Sequence, residues 1–265
     1  MTEQMIALGL EDRLIAQSGS GQGEPREEYR KKFDQIKNLG DGVPSIEVLL
    51  AEQPDLLLAE GMYHFTGETL PTLEDLGDQG IQAYVSYPLC PENKARSTIE
   101  DTFADFSNLG QIFGIPDKAA NVIEELKRKL ADVREHVADQ PPIRAVVVTV
   151  FEDQLYVDAG GLYTDVLNQA GAANITPVEE MPAGNYYAQM SPEVVLQRNP
   201  AAIVFTYLDQ EGKHATEEFL RTTLAETTAV QQNRLIAVPE LAFSGGVHSV
   251  PGVAELAREL HPDAF

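Results

Sequence analysis

One cysteine, nineteen basic residues against forty-two acidic ones, and no long apolar run narrow this 265-residue chain before any motif is read. With Cys90 as the lone cysteine, neither an internal disulfide nor a multi-cysteine metal site can form. That count leaves the compartment open, because many exported proteins also lack disulfides. Nowhere do apolar residues approach the roughly 18 to 20 in a row that a membrane-spanning helix needs. The net charge of −23 argues against nucleic acid and anionic membrane surfaces as partners. The opening MTEQMIALGL has neither the basic start nor the apolar core of a secretion signal, so the chain reads either as cytoplasmic or as lacking its natural start. SGSGQGEP, Ser18–Pro25, is glycine-rich, but Glu27 and Glu28 follow it and no Gly-Lys-Ser/Thr does; it reads as a flexible loop. No Gly-x-Ser-x-Gly elbow occurs. His64 and His248 fall in loops without the tight set of His, Asp and Glu that a bare metal site requires.

What is present is a repeat. EVLLAEQPDLLLA starts at Glu47 and EVVLQRNPAAIVF at Glu193, with proline at the same offset, Pro54 and Pro200. A helix does not readily run into proline, so each copy predicts a short helix, a break and a buried strand. Around the first copy the reading is a helix at Thr2–Leu8 closed by Gly9, a strand at Arg13–Ala16, and a long polar loop over 17–35. After it come the aromatic loop GMYHFTGETL, a short helix, the strand IQAYVSY and the loop PLCPENKARS. Apolar residues at helical spacing then predict a helix from Thr98 and a longer one over Asp117–Val137, about 30 Å long at 1.5 Å per residue. The second half restarts with the strand IRAVVVTV. It continues through a helix ending at Gly171, the loop PAGNYYAQMS, the second repeat and the loop YLDQEGKH. A helix through Glu217–Leu224, the strand RLIAVP, the loop ELAFSGGVHS and a helix from Pro251 to Leu260 complete it. Strands alternating with helices predict an α/β protein of two lobes, 1–97 and 139–265, with mainly parallel sheets and the helical segment 98–138 as a stiff connector.

An ordered set of stretches carries a family resemblance: ALGLEDRLIA, PSIEVLLAEQPDLLLAEG, LGDQGIQAYV, IEDTFADFSNLGQIFGIPDKAANVIEEL, GGLYTDVLNQAGAANI, QMSPEVVLQRNPAAIVF, NRLIAVP and HPDAF. Together they span nearly the whole chain. The sequence resembles the substrate-binding proteins of bacterial ABC importers for ferric siderophores, haem and vitamin B12. The resemblance implies two Rossmann-like lobes joined by a long rigid helix, one ligand in the cleft between them, and no enzymatic activity. It implies an extracytoplasmic station, in the periplasm or lipid-anchored at the outer face of the cell membrane. It also implies a monomer, and no cofactor beyond iron carried within a bound chelate. Family members begin with an export signal and a first strand before the ALGL helix, which are not seen here.

Ligands of open α/β sheets sit outside the carboxyl ends of the strands. The loops expected there hold Tyr63, His64 and Phe65 in the first lobe, and Phe151, Glu152, Tyr156, Tyr186, Tyr187, Tyr207, Phe243 and His248 in the second. Tyrosines bury a large flat area and keep a polar tip, which suits a bulky chelate; the alternative for each is anchoring its own loop. Tyr187 falls where the resemblance places a ligand-stacking aromatic of the vitamin B12-binding relatives. Of the basic residues, only Lys94, Arg96 and Lys213 are placed to meet a ligand, so a hydroxamate-type iron chelate fits better than a triply anionic catecholate. Haem, cobalamin or a free divalent metal are the alternatives within the fold, and an enzyme on a doubly wound α/β fold is the alternative outside it. The resemblance further assigns Glu193 to docking on the membrane permease, with Glu68 or Glu74 as its first-lobe counterpart. An ordinary helix start is the competing reading of Glu193.

Overall fold

A helix, a proline and a strand recur in each half of the chain, and the computed structural model, which describes residues 1–19, 23–68, 70–183 and 185–265, shows what the proline does. Helix α3 (Ile46–Ala51) stops ahead of Pro54 and strand β1 (Leu56–Ala59) follows; α8 (Pro192–Arg198) stops ahead of Pro200 and β7 (Ala202–Tyr207) follows. Proline bars its predecessor from the right-handed helical region. Both predecessors turn left-handed instead, Gln53 at φ +52° and Asn199 at +46°. Asn tolerates that region well, and the Asn199 Oδ1 accepts the Thr228 N–H at 2.7 Å.

The chain divides into two units, Met1–Asn93 with Glu100–Ile123, and Lys94–Ile99 with Glu124–Phe265. The first holds α1 (Thr2–Ala7), α2 (Glu27–Phe33), α3, β1, α4 (Leu73–Asp78) and β2 (Gln82–Val85). It also holds most of α5 (Ile99–Ile112) and the start of α6 (Pro116–Val137). β1 and β2 pair in parallel, from Leu56 opposite Gln82 to Ala59 opposite Val85. Leu49, Phe65, Leu70, Leu76 and Ile81 form a core against them. α4 opens with a capping box: Thr72 Oγ1 accepts the Asp75 N–H at 3.2 Å, and the Asp75 carboxylate accepts the Thr72 N–H at 3.3 Å. Two expectations fail here. Arg13–Ala16 is not a strand; a 3-10 turn covers Glu11–Arg13, and an isolated bridge pairs Gln17 with Asn38. The expected loop over 17–35 contains α2, a short helix whose Tyr29 and Phe33, one turn apart, are half-buried. Acids in its first turn and Arg30, Lys31 and Lys32 in its last suit the helix dipole, and Arg30 pairs with Glu27 at 3.1 Å. Ser20, Gly21 and Gln22 of the Ser18–Pro25 stretch lie outside the described residues.

The second unit carries β3 (Ile143–Phe151), β4 (Gln154–Asp158), α7 (Gly161–Gln169), β5 (Ala172–Asn174), β6 (Tyr187–Gln189), α8 and β7. α9 (Gln210–Thr223), α10 (Thr228–Gln231), β8 (Leu235–Pro239) and α11 (Gly246–Leu260) complete it. The sheet order is β6-β4-β3-β7-β8, with β5 also on β3. β5, β3, β7 and β8 run parallel; β4 and β6 are antiparallel additions. One face sends Val146, Val148, Leu155, Val157, Ile203 and Phe205 into a core with Leu220 and Leu224. Each such fully buried side chain is worth roughly 2 kcal/mol in area removed from water. Alternation turns Val147, Thr149, Asp158, Val204 and Thr206 to the opposite face.

Three expectations are corrected in this unit. β3 does not end in a loop: Glu152 and Asp153, at φ +49° and +58°, make a tight turn into β4. α9 begins at Gln210, where the Asp209 carboxylate accepts the Gly212 N–H at 2.7 Å. α11 begins at Gly246, so Pro251 is interior. A proline there forfeits one helical hydrogen bond, and burial of Val247, Val250, Val253, Leu256 and Ala257 outweighs it. Among the described residues no helix is long and apolar enough to cross a membrane.

Candidate ligand-binding site

In the second unit four aromatic rings are in series, from the turn after β8 to the edge strand β6. Phe243, on the 3-10 turn Glu240–Phe243 after β8, stacks on Tyr163 of α7 with centroids 4.7 Å apart and planes 9° apart. Tyr163 stacks in turn on Tyr186, at 5.6 Å and 20°. Tyr186 meets Tyr187 edge to face, at 5.4 Å and 63°. Exposure rises along the series, from 2% at Phe243 to 44% at Tyr187. Tyr187 lies on β6 opposite Asp158 of β4, so a strand register rather than a loop aims its ring. The Tyr163 hydroxyl donates to the Glu240 carboxylate.

Asp158 sits beside this series at the end of β4, 4% exposed. Its carboxylate accepts from Thr149 Oγ1 at 3.0 Å, and Thr149 shares a second hydrogen bond of 2.9 Å with Thr206. Burial, and then the charge of Glu240, raise its pKa from 3.8 to about 7, with the Thr149 bond opposing them. The Tyr163 phenol is pushed far up, first by burial and then by Glu240 and Asp158. Neither Tyr163 nor Asp158 stands out in the sequence. The first sits in a helix, the second in a stretch read as loop; the alternation of Gln154 to Asp158 was the one signal for β4.

The sequence-predicted residues scatter more widely. In the second unit, Phe151 and Tyr156 flank the β3–β4 turn, Phe151 exposed and Tyr156 half-buried, with Glu152 in the turn itself. Tyr207 closes β7, and Lys213 of α9 lies 5.4 Å above its ring. His248 is half-buried inside α11, not in a loop. Phe243 is a core side chain.

In the first unit, Tyr63 and His64 share a 3-10 turn beyond β1, with ring centroids 4.2 Å apart and Tyr63 63% exposed. Burial lowers the His64 pKa and raises that of Tyr63, and Glu60 raises both. Phe65, 6% exposed, belongs to the core of this unit and anchors its loop rather than presenting a face. An exposed aromatic that the sequence reading passed over, Tyr87, follows β2. Buried Asp105 of α5 holds that corner: it accepts from Tyr84 Oη at 2.6 Å, Ser86 Oγ at 2.7 Å and the Tyr87 N–H at 2.9 Å.

Comparison with known proteins decides what this arrangement belongs to. The family model described as "Periplasmic binding protein" matches residues 1–242. The chain belongs to the periplasmic binding protein family. An uncharacterized ABC transporter substrate-binding lipoprotein of Bacillus subtilis, YvrC, is 25% identical over 270 residues, covering 100% of this chain and 78% of the relative. A vitamin B12-binding protein of Vibrio cholerae is 27% identical over 237 residues, 89% of this chain and 77% of the relative. The crystal structure of a periplasmic binding protein from Veillonella parvula superposes with a TM-score of 0.88 at 23% identity, over 98% of this chain and 88% of that one. Such proteins are extracytoplasmic solute-binding components of ABC transporters, not enzymes.

In a periplasmic binding protein, charge near the strand ends bears on the solute. Arg144 donates to the carbonyls of Arg198 and Asn199, Arg198 pairs with Glu180, and Arg234 donates to the Leu260 carbonyl. Arg221 pairs with Glu217 and Arg258 lies over Phe265. These five arginines are engaged elsewhere. Lys213 is half-buried over Tyr207, and on the segment Lys94–Ile99 Lys94 is half-buried and Arg96 exposed. Glu193, Glu68 and Glu74, which the resemblance assigns to docking, are all exposed. Ser191 makes no side-chain bond to the α8 backbone; the backbone N–H of Glu193, and then the Ser191 hydroxyl, hold the Glu193 carboxylate below its usual pKa. Glu47, beside Ser45 in the first copy of the repeat, has the same two causes.

Proposed function

We propose that this protein captures a bulky metal chelate with no net negative charge, an iron–hydroxamate siderophore being favoured, and delivers it to a membrane permease. The observation that carries the reading is the series Phe243–Tyr163–Tyr186–Tyr187, a rigid aromatic support ending in an exposed ring. Tyrosine offers a chelate a flat apolar face and a phenol at its edge, at small entropic cost. Tyr63 and His64 are proposed as contacts from the first unit. Phe151, Glu152, Tyr156, Tyr207, Lys213, Lys94, Arg96 and His248 are the further contacts proposed in the second. The carboxylate of Glu240, and the engagement of five arginines elsewhere, support discrimination against a triply anionic catecholate. Identity with the Vibrio cholerae vitamin B12-binding protein supports a second reading, in which the chelate is a corrinoid. The protein is proposed to need no cofactor of its own and to act as a monomer. Its proposed station is the periplasm or, through a lipid anchor, the outer face of the membrane.

With nine tyrosines and no tryptophan, the protein reports on itself through tyrosine emission. Titration with ferrioxamine B, a ferric tricatecholate, haem and cyanocobalamin should give saturable quenching by the first and none by the second. Preference for the tricatecholate would overturn the charge argument; saturation by cyanocobalamin alone would establish the second reading. Tyr187→Ala should weaken the bound probe about tenfold or more, as truncated aromatic anchors commonly cost ~2 kcal/mol, with melting unchanged. An unaltered dissociation constant removes Tyr187 from the site.

Glu193 is proposed to dock on the permease, with Glu68 or Glu74 as the counterpart in the first unit. Its ionised, exposed carboxylate supports an electrostatic role, and the missing Ser191 cap removes part of the helix-start alternative. Glu193→Ala should leave probe affinity and melting temperature unchanged but slow uptake in a reconstituted importer, most at low salt. Normal uptake, or a lowered melting temperature as the main effect, returns Glu193 to an ordinary helix start.

A further inference from the structure

We propose that Glu240 is a positioning residue: through its hydrogen bond from Tyr163 it locks the aromatic series into the register that presents Tyr187 to the ligand. The inference rests on the chelate-binding reading above and adds to it the part that holds the site rigid.

The turn Glu240–Phe243 after β8 delivers two constraints to one ring. Phe243 stacks on the face of Tyr163, and Glu240 accepts from its hydroxyl. Stacking fixes the plane of a ring more firmly than its offset within that plane, since offset-stacked arrangements span a range of centroid separations. A hydrogen bond from the phenol to a carboxylate is directional and charge-assisted, and it removes that freedom. Tyr163 stacks on both Phe243 and Tyr186, so its in-plane position bears directly on where Tyr186 lies. The backbone on the other side of Tyr186 is fixed separately, its carbonyl accepting the Ala159 N–H at 2.7 Å. Tyr187 then continues into the β6–β4 pairing opposite Asp158. The exposed ring is thus pinned by strand register at its backbone and by the Tyr163–Tyr186 stack at its edge. A supporting shell of this kind commonly decides whether a site is present but too loose to bind well. The cost of the arrangement is visible beside it: with Glu240 turned toward Tyr163, Asp158 is buried next to a second carboxylate. An apolar residue at 240 would avoid that repulsion, so the carboxylate has to contribute something the packing does not need.

The test uses the full chain with ferrioxamine B and cyanocobalamin as probes. Tyr163→Phe keeps the ring and loses only the donor, so the fold survives it. Tyr163→Phe and Glu240→Ala should each weaken the probe that binds wild type about tenfold, and the double variant should lose no more than either single one, as coupled partners do. Glu240→Gln, which keeps an acceptor, should stay within about threefold of wild type. Glu240→Ala removes no tyrosine, so a reduced near-ultraviolet circular dichroism of the tyrosine band, measured without any probe, reports loosening of the series itself. Unchanged dichroism in Glu240→Ala, additive losses in the double variant, or Glu240→Gln as weak as Glu240→Ala would each overturn the proposal. If wild type binds neither probe while Glu240→Ala still loses dichroism, the choice of ligand is wrong and the positioning stands.

Discussion

Gly161→Ala should destabilise the second unit by at least about 3 kcal/mol, a loss visible as a large drop in melting temperature or as failure to fold. Gly161 opens α7 at φ +51°, where a side chain costs on the order of 1 kcal/mol on conformation alone. Steric contact costs more: a Cβ there would fall 2.1 Å from the Lys94 carbonyl oxygen and 3.1 Å from Ser97 Oγ. The first is main chain and cannot swing aside. It is held in place, because the Gly161 N–H donates to the Ala95 carbonyl at 3.0 Å and the Ile99 N–H to the Asp165 carboxylate at 2.7 Å. Gly212→Ala provides the control. Gly212 lies in α9, where an added Cβ makes only an ordinary 3.4 Å contact with the Asp209 side chain, and the exchange should be neutral or stabilising by up to ~1 kcal/mol. Two variants with equal melting temperatures would show that the segment Lys94–Ile99 is not packed on α7 in this way.

Asp158→Asn should stabilise the protein, and the gain should grow with pH. The carboxyl titrates at about 7 in the folded protein against 3.8 ordinarily. An acid whose folded pKa is raised keeps a proton that the unfolded chain gives up, so stability falls as pH climbs from about 4 to about 7 and the full penalty applies above. The shift corresponds to a penalty on the order of 4 kcal/mol at pH 8, of which roughly 3 develops above pH 5. Asparagine keeps the Thr149 contact through its carbonyl oxygen and removes the charge. Chemical denaturation at pH 5 and pH 8 should therefore separate the variant from wild type by an increment of a few kcal/mol at the higher pH. An increment near zero would mean that a bound cation or water compensates Asp158. Such a penalty is tolerable where the site gains from it, and Asp158 stands beside the ring series proposed to meet the ligand.

Both copies of the repeat were legible because everything they need is local. A proline acts on the residue before it, and an apolar run of four or five residues between breaks makes a strand. The long helix α6 was legible for the same reason, its stripe of Leu126, Leu130 and Val133 recurring at helical spacing. Elsewhere local signals pointed the wrong way. VFEDQLYVD has no Asn-Gly or Asp-Gly at its turn, yet Glu152 and Asp153 adopt the left-handed conformations such a hairpin requires. Pro251 looks like a helix start, and five buried residues carry α11 through it.

The candidate site residues divide along the same line. Composition and charge by themselves set out a protein with no disulfide, no membrane-spanning run and few basic groups, and the order of its motifs marked two α/β units of one family. Which aromatics face outward was decided by packing. Phe65 and Phe243 read like Tyr63 and Tyr187 in sequence, since all four follow or flank strands, but the first two fill cores. Tyr163 and Glu240 are 77 residues apart and meet only because α7 and the turn after β8 converge at one end of the sheet. Asp158 acquires its displaced pKa from burial and from Glu240, neither of which exists in the unfolded chain. Periodicity and capping act within a few residues and can be read along the chain. Stacking, desolvation and charge coupling depend on distances in space, and the fold alone supplies those.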